Sequence, residues 1–281
     1  MANEATYAAF AAMLPNIYDA AFLTLRDQSI VAPLVTTPND GVGLVPRIWG
    51  NYSGGTAQVI SETDDMANQA WAATAGGTIT PTIKGMQYFL NDTLINSGDQ
   101  QAANDASTDI GNVIAEKVDV DLSALFASFT GGTVGTAGGT LTWPNVLRAA
   151  AYLRANKVPL PYVCVLRPEQ WYYLTAATSG VPTLLSSVDF MNGLFRTNNF
   201  FVGGYAGIAF LSDANIVSGT AATAGMFGRQ AIYFDQRRAF RIEAQRDASR
   251  GAGGYELNAS IIYAAAIRRA THGVKMTGTS A

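Results

Sequence analysis

The sequence is poor in charge, in cysteine and in histidine. Charged residues make up 14% of its 281 positions, against about 25% in ordinary soluble domains. The single cysteine, Cys164, excludes an internal disulfide and a cysteine metal cluster. No run of about 18 apolar residues occurs, and the first residues lack the blocks of a signal peptide, so we expect neither a membrane span nor secretion. The expected compartment is the reducing cytoplasm.

Apolar residues are abundant, at 48% of the chain. So few charges leave much weakly polar surface, and one explanation is that other subunits cover it. The charges are also uneven: residues 1–130 carry four basic and fourteen acidic residues, and residues 229–281 carry nine basic and four acidic. This split is either a chance distribution or a sign that one subunit's acidic region docks on a neighbour's basic region. A nucleic-acid groove is less favoured, because the whole chain is acidic and has no lysine-rich tract.

Residues that could carry chemistry are few and badly placed. His272, the only histidine, lies near the C-terminus and is expected at the surface. Cys164 lies in an apolar strand, where a small buried hydrophobe is the favoured interpretation over a nucleophile. Asp119 and Asp121 are two apart on a helix and point away from each other. No glycine loop has the strand–loop–helix context of a phosphate site. We therefore predict no enzyme, no catalytic or metal site and no cofactor.

A helix from Asp99 to Phe129 is the longest predicted element. Its apolar residues recur at gaps of three and four, which places them on one stripe of a helix. Asp99 is a plausible N-cap, and Thr130-Gly131-Gly132 ends the helix. The members of the predicted stripe are Ala102, Ala106, Ile110, Val113, Ile114, Val118, Leu122, Leu125 and Phe129.

The chain before this helix is predicted as an arm and an excursion. Residues 3–28 have helical patterns in two pieces, and prolines indicate an extended stretch from Ser29 to Asp40. We predict strands over residues 41–49 and 78–90, a turn over 51–55 and a weak helix over 66–75. Residues 41–90 are therefore predicted to form a two-stranded excursion. Such a ribbon is only marginally stable alone in water, so it is expected to pack on its own domain or on another subunit.

The chain after the helix is predicted as an α/β region followed by antiparallel strands. The α/β region, residues 142–225, has a Gly/Thr loop before it. We then predict three antiparallel strands over residues 225–235, 237–246 and 255–269. Within the α/β region the predicted elements are a helix over 142–156, a strand over 162–166, a helix over 168–176, a helix over 184–192 and strands over 200–202 and 207–211.

Two stretches and the order of elements carry a family resemblance. Leu90-Asn91-Asp92-Thr93-Leu94-Ile95, leading to Ile114-Ala115-Glu116-Lys117-Val118-Asp119, is similar to the long helix and its approach in tailed-bacteriophage major capsid proteins of the Hong Kong 97-type fold. Val163-Cys164-Val165-Leu166-Arg167-Pro168-Glu169-Gln170-Trp171, with Leu174, resembles a strand and helix of the same family. The order of elements resembles the family over nearly the whole chain.

The resemblance implies an α+β capsid fold and its parts. These are an N-arm (1–40), an E-loop hairpin (41–90), a spine helix with part of the P-domain (91–141), an inserted α/β A-domain (142–225) and the antiparallel P-domain sheet (226–281). The implied function is self-assembly into pentamers and hexamers of an icosahedral virion shell around double-stranded DNA. Assembly would occur in the host bacterial cytoplasm.

The resemblance also implies partners. These are copies of the chain itself, a portal and packaged DNA in non-specific contact, with no membrane. The chain begins close to the arm, so a separate scaffolding protein is expected. Some relatives cross-link an E-loop lysine to a neighbour; Lys84 is the candidate here, although an ordinary surface lysine is the simpler interpretation. The predicted inter-subunit contacts are Arg47, Trp49, Tyr52, Lys84, Arg237, Arg238 and Arg241.

Two alternatives stay open. An encapsulin-like compartment has the same fold but encloses protein cargo. A monomeric α/β ligand-binding or hydrolytic protein would be a small particle with a pocket of convergent polar groups. The charge-docking hypothesis predicts that Arg237→Glu with Arg241→Glu impairs assembly more than folding.

Overall fold

A computed structural model describes residues 21, 29–38, 41–53, 57, 59–60, 62, 72–92, 100–176, 201–205, 207–249 and 253–280. At 51–53, 72–75, 100–104 and 201–205 it describes the backbone alone. In chain order the strands and helices are β1 (Arg47–Ser53), β2 (Ala72–Ile79), β3 (Thr82–Asn91), α1 (Gln100–Ser123), β4 (Thr133–Val134), α2 (Trp143–Ala155), β5 (Tyr162–Leu166), α3 (Pro168–Ala176), β6 (Phe201–Tyr205), β7 (Ile208–Ser212), β8 (Ala222–Gly228), β9 (Ile232–Asp247), β10 (Gly254–Ile267) and β11 (Gly273–Gly278). None of the described helices has both the length and the hydrophobicity of a membrane span.

The predicted long helix is present as α1, extended by a 3-10 turn over Ala124–Ser128. The α-helical part, 24 residues long, spans about 36 Å at 1.5 Å per residue. Its stripe is buried at Ile110, Ile114, Val118 and Leu122, as predicted. Val113 was wrongly placed on the stripe, because its side chain is 37% exposed. The buried residues are four apart, so each lies about 40° further around the helix than the one before it. The buried stripe therefore winds away from position 113 and does not include it. The predicted cap, Asp99, lies outside the described residues.

A three-stranded antiparallel sheet packs on α1. Its order is β3-β10-β9, so the second-last strand of the chain is its centre. Leu257, Ile261 and Tyr263 of β10 share one buried apolar cluster with Ile114 and Leu122 of α1. This cluster makes the helix and the sheet one layered unit.

A separate two-stranded ribbon, β1 paired antiparallel with β2, precedes this sheet. Four predictions made for this part of the chain are wrong. Residues 41–46 are not strand, because β1 begins only after Pro46, at Arg47. Residues 51–53 are strand rather than turn, and 72–75 are strand rather than helix. The predicted strand 78–90 is two strands, because Pro81, which has no N–H for a ladder, lies between them. The second of these strands, β3, pairs with β10 rather than with β1.

A six-stranded mixed sheet has the order β4-β11-β8-β5-β7-β6. The predicted strand β5 is buried at all five residues, as expected for a strand covered on both faces. Val163 and Val165 join the apolar cluster under α1, while Cys164 and Leu166 join a second cluster with α2 and α3. Cys164 is a buried hydrophobe, and burial raises the pKa of its thiol. The helices α2 and α3 begin and end within one residue of the prediction.

The end of the chain differs from the prediction. The predicted strand 225–235 is the end of β8 and the start of β9, which lie in different sheets. The segment after His272 forms β11, which lies between β4 and β8. His272 was predicted at the surface, but only 8% of it is exposed, and burial, with Arg269 and Arg268, lowers its pKa. The predicted helix 184–192 lies outside the described residues.

A cluster of aromatic rings joins α1 to the six-stranded sheet. Phe126 and Phe129 lie with their ring centroids 5.5 and 5.8 Å from that of Phe227. Gly273 makes this contact possible, because a Cβ there would lie 2.3 Å from the Phe129 ring.

Candidate assembly surfaces

Large apolar side chains are exposed mainly on the ribbon segment. Of the described residues whose large apolar side chains are exposed, more than half lie between residues 42 and 60. We call these six the apolar ribbon surface; they are Val42 (81% exposed), Leu44 (49%), Val45 (67%), Ile48 (69%), Val59 (104%) and Ile60 (44%). Several large exposed apolar side chains in one short segment indicate a contact with another molecule. For Val42, Leu44 and Val45 the sequence signal is an apolar run between Gly41 and Pro46 that fits no amphipathic pattern.

The base of the ribbon is fixed on β9 by Trp49. Its ring meets Tyr233 edge to face, with centroids 5.7 Å apart. The same ring lies against the backbone of β2, since a Cβ at Gly76 would approach the Trp49 Cδ1 atom to 2.6 Å. Trp49, a predicted inter-subunit residue, therefore makes contacts within its own chain that hold the ribbon in place.

Asp235 binds two of the other predicted contact residues. Its fully buried carboxylate accepts from Arg47 Nε at 3.0 Å and from Arg237 Nη2 at 2.8 Å. The Arg237 side chain is only 4% exposed, and its Nη1 donates to the carbonyl of Val42 at 3.3 Å. Removing one partner of a buried pair costs about 3–5 kcal/mol. Arg237→Glu will therefore lower the stability of the fold. For this reason the variant Arg237→Glu with Arg241→Glu cannot separate an effect on assembly from an effect on folding.

Lys84 is held inside the chain by Asp121. The Lys84 ammonium binds this carboxylate and lies 4.2 Å from the centre of the Tyr263 ring. Lys117 Nζ and the Tyr263 hydroxyl also donate to Asp121, at 2.9 and 2.8 Å. Burial raises the pKa of Asp121, but the hydrogen bonds from Lys84, Lys117 and Tyr263 outweigh it and leave the pKa below its usual value. Lys84 thus ties β3 to α1 and β10.

The remaining predicted contact residues differ in exposure. Arg238 Nη2 donates to Ser260 Oγ at 2.7 Å across the β9–β10 pair. Arg241 pairs with Glu243 on the same strand, and both side chains are 56% exposed. Arg241 is therefore a cation that a neighbour can reach. The side chain of Tyr52 lies outside the described residues.

A buried carboxylate anchors the arm to α1. Asp119 accepts hydrogen bonds from the backbone N–H groups of Ile30 and Val31 at 2.8 and 3.1 Å, and from Ser29 Oγ at 3.3 Å. Burial raises the pKa of Asp119 to about 6, although these donors oppose the shift. Asp119 and Asp121 thus point to different partners, as their spacing predicted.

No protein-family model and no curated protein matches the sequence. Solved structures do match. A chain from Mycobacterium phage Che8 is 17% identical, with a TM-score of 0.67 over 88% of this chain and 90% of that one. A chain of the capsid of Ralstonia phage GP4 is 13% identical, with a TM-score of 0.67 over 88% and 87%. A chain of a virus-like particle from Pyrococcus furiosus is 10% identical, with a TM-score of 0.59 over 94% and 98%.

These likenesses define a class of fold, because they extend over nearly the whole chain. The molecule has a mixed α+β fold that is shared by subunits of phage capsids. This agrees with the capsid fold that the sequence resemblance implied. At such low identity the likeness concerns the fold.

Proposed function

We propose that this chain is the major capsid subunit of a tailed bacteriophage. Copies assemble into the pentamers and hexamers of an icosahedral shell around double-stranded DNA, and the chain has a structural rather than an enzymatic role. The observation that carries the proposal is the apolar ribbon surface on a capsid-type fold. Fully burying one such side chain contributes about 1.5–3 kcal/mol, so repeated copies of this contact would hold a shell together.

We assign the predicted parts to the observed elements as part of this proposal. The β1–β2 ribbon is the E-loop, α1 is the spine helix, the three-stranded sheet belongs to the P-domain and the six-stranded sheet to the A-domain. The boundaries at residues 40, 90, 141 and 225 remain a proposed division. β4 and β11 join the six-stranded sheet from outside residues 142–225.

The resemblance supplies the proposed partners and location. The shell is the virion capsid, assembled in the host bacterial cytoplasm with a separate scaffolding protein and a portal. Arg47, Trp49, Tyr52, Lys84, Arg237, Arg238 and Arg241 remain predicted contacts, and Arg241 is the best supported because it is exposed. Lys84 is a poor candidate for a cross-link, since its ammonium is bound to Asp121.

An encapsulin-like compartment is the second candidate. The Pyrococcus furiosus virus-like particle has a similar fold over 94% of this chain, which supports a shell of either kind. The monomeric ligand-binding alternative has less support. In the described part of the chain, a cleft between residues 120–127 and 216–223 is lined mainly by small apolar side chains and gathers no charged ones.

Particle purification separates these candidates. The full chain, expressed with candidate scaffolding protein, would be banded on a density gradient, treated with nuclease and imaged by negative stain. Closed particles that protect double-stranded DNA are the expected result. Particles that retain protein cargo without DNA would favour the compartment, and the absence of particles would overturn both shell functions.

A further inference from the structure

The proposed function leaves unused a group of basic side chains where the two sheets meet. Arg229 lies just before β9, and Arg268 and Arg269 follow β10. Arg154 and Lys157 lie at the end of α2. We call these five residues the basic patch.

Backbone hydrogen bonds hold the two sheet segments of the patch side by side. The N–H groups of Arg268 and Arg269 donate to the carbonyl of Ala231 at 2.8 and 3.1 Å. The N–H of Ala231 in turn donates to the carbonyl of Gly228 at 2.8 Å, closing the turn that carries Arg229. The three arginines therefore emerge from one small area.

The end of α2 packs against the same area. A Cβ at Gly228 would lie 2.6 Å from Val158 Cγ1, so the Val158 side chain packs directly against the backbone of Gly228. The Asn156 amide donates to the carbonyl of Gly131 at 3.0 Å, and the Gly131 N–H donates to the carbonyl of Ala270 at 3.2 Å. These contacts place the end of α2, which carries Arg154 and Lys157, next to the segments that carry the three arginines.

None of the five side chains forms an ion pair with a carboxylate of the described residues. Four of them belong to exposed residues, and the half-buried Arg268 lies with its guanidinium 4.7 Å from the centre of the Tyr233 ring. The sequence accounts for this, because no acidic residue occurs in 122–168, in 214–234 or in 257–281. Among the described residues, the patch is thus a concentration of positive charge that no ion pair compensates.

The surroundings of the patch distinguish its partner from that of the ribbon. Protein–protein contacts have an apolar centre, and the apolar ribbon surface supplies one. The segments 154–158, 229–231 and 268–272 contain none of the exposed large apolar side chains of the described chain, and the nearest in sequence is Leu160, three residues after Lys157. Several cations on a polar surface are what a phosphate backbone needs, because each contact releases counterions from the nucleic acid.

We propose that the basic patch binds the phosphate backbone of the enclosed double-stranded DNA, an inference that rests on the proposed function. The negative net charge of the whole chain argues against a nucleic-acid groove. A net charge, however, does not describe the local positive charge that the fold concentrates in the patch. Arginine and lysine contacts to phosphates carry no sequence information, so the binding is non-specific.

The test compares two double variants of the unassembled full-length chain. Arg229→Gln with Arg269→Gln removes two charges from the patch. The control, Lys117→Gln with Arg246→Gln, removes two exposed charges that lie outside the patch and outside the predicted inter-subunit contacts. Binding to a fluorescent duplex of about 30 base pairs would be measured by anisotropy between about 50 and 200 mM salt. Particle formation by both variants and by the wild type would be imaged in parallel.

The expected result is that the patch variant binds DNA about tenfold more weakly, with a salt slope lower by about two, while the control stays within about twofold. Equal weakening of both variants, or no DNA binding by the wild type at low salt, overturns the proposal. So does a patch variant that binds DNA normally but fails to assemble, because the partner would then be a neighbouring subunit. DNA binding by a wild type that forms no particles would instead contradict the proposed shell function, while the basic patch would remain a DNA-binding surface.

Discussion

At the scale of single residues, the anchoring of the arm depends on one carboxylate. Asp119 is fully buried and accepts hydrogen bonds from two backbone N–H groups of the arm. Its burial disfavours the charged form, which is why its pKa rises to about 6. A group whose pKa is raised by folding stabilises the protein most at low pH, and this stabilisation is lost as the pH rises through the folded pKa.

We therefore predict a pH-dependent difference between the wild type and Asp119→Asn. The wild type's free energy of unfolding, relative to that of the variant, should decrease by up to about 3 kcal/mol between pH 4 and 7. Urea denaturation at a series of pH values measures it, and Glu116→Gln, an exposed carboxylate on the same helix, is the control. A difference that stays constant over this range would refute the assignment.

Two lysines that share one carboxylate offer a matched comparison. Lys84 and Lys117 both bind Asp121, but the Lys84 side chain is 26% exposed and that of Lys117 is 52% exposed. We predict that Lys84→Gln lowers the free energy of unfolding by about 1–2 kcal/mol, because a charged hydrogen bond and a cation–π contact are lost. Lys117→Gln should cost about 0.5 kcal/mol or less. Chemical denaturation of the unassembled chain measures both, and equal losses would show that Lys84 has no special structural role.

At the scale of elements, the ribbon is the part most specialised for contact. We predict that Ile48→Ser with Val59→Ser leaves the folding stability within about 0.5 kcal/mol, because both side chains are exposed. The same variant should lose most of its particle yield, because the apolar contact with a neighbour is removed. Denaturation and electron microscopy measure the two effects.

The matched control removes exposed apolar side chains elsewhere. Leu160→Ser with Val217→Ser changes residues that are 55% and 77% exposed but lie off the ribbon. This control should fold and assemble as the wild type does. If both double variants assembled equally well, the ribbon would not be the contact surface.

The elements with strong local signals could be predicted from the sequence. The stripe of α1, the apolar run of β5 and the proline that opens α3 each fix their element through adjacent residues. The pairing of β3 with β10 and of β11 with β8 joins strands far apart in sequence. No local pattern specifies such partners. For this reason the predicted excursion wrongly includes β3, and the predicted surface position of His272 is wrong.

The candidate contacts show the same limit. Most of the predicted contacts are arginines or aromatic residues, which are enriched at the energetically important positions of interfaces. Arg237 could not be recognised as internal, since its partner Asp235 is buried only when β9 is paired and the ribbon base lies over it. The apolar residues from Val42 to Ile60 were overlooked because exposure itself is a property of the fold.

At the scale of the whole molecule, the surface divides into regions of different chemistry. The ribbon presents apolar side chains, and the area where the two sheets meet presents cations that form no ion pair with a carboxylate of the described residues. A protein with few charges and a capsid-type fold can form a shell through the first region and face DNA through the second. The proposed function depends most on the association of copies of this chain through the apolar ribbon surface.

Sedimentation velocity of the purified full chain tests that claim most directly. The account predicts species of many copies whose proportion rises with protein concentration and with added candidate scaffolding protein, and whose fastest fraction contains capsomers or closed shells by electron microscopy. A monomer of 29.7 kDa at every concentration, with scaffolding protein and crowding agents present, would contradict self-assembly.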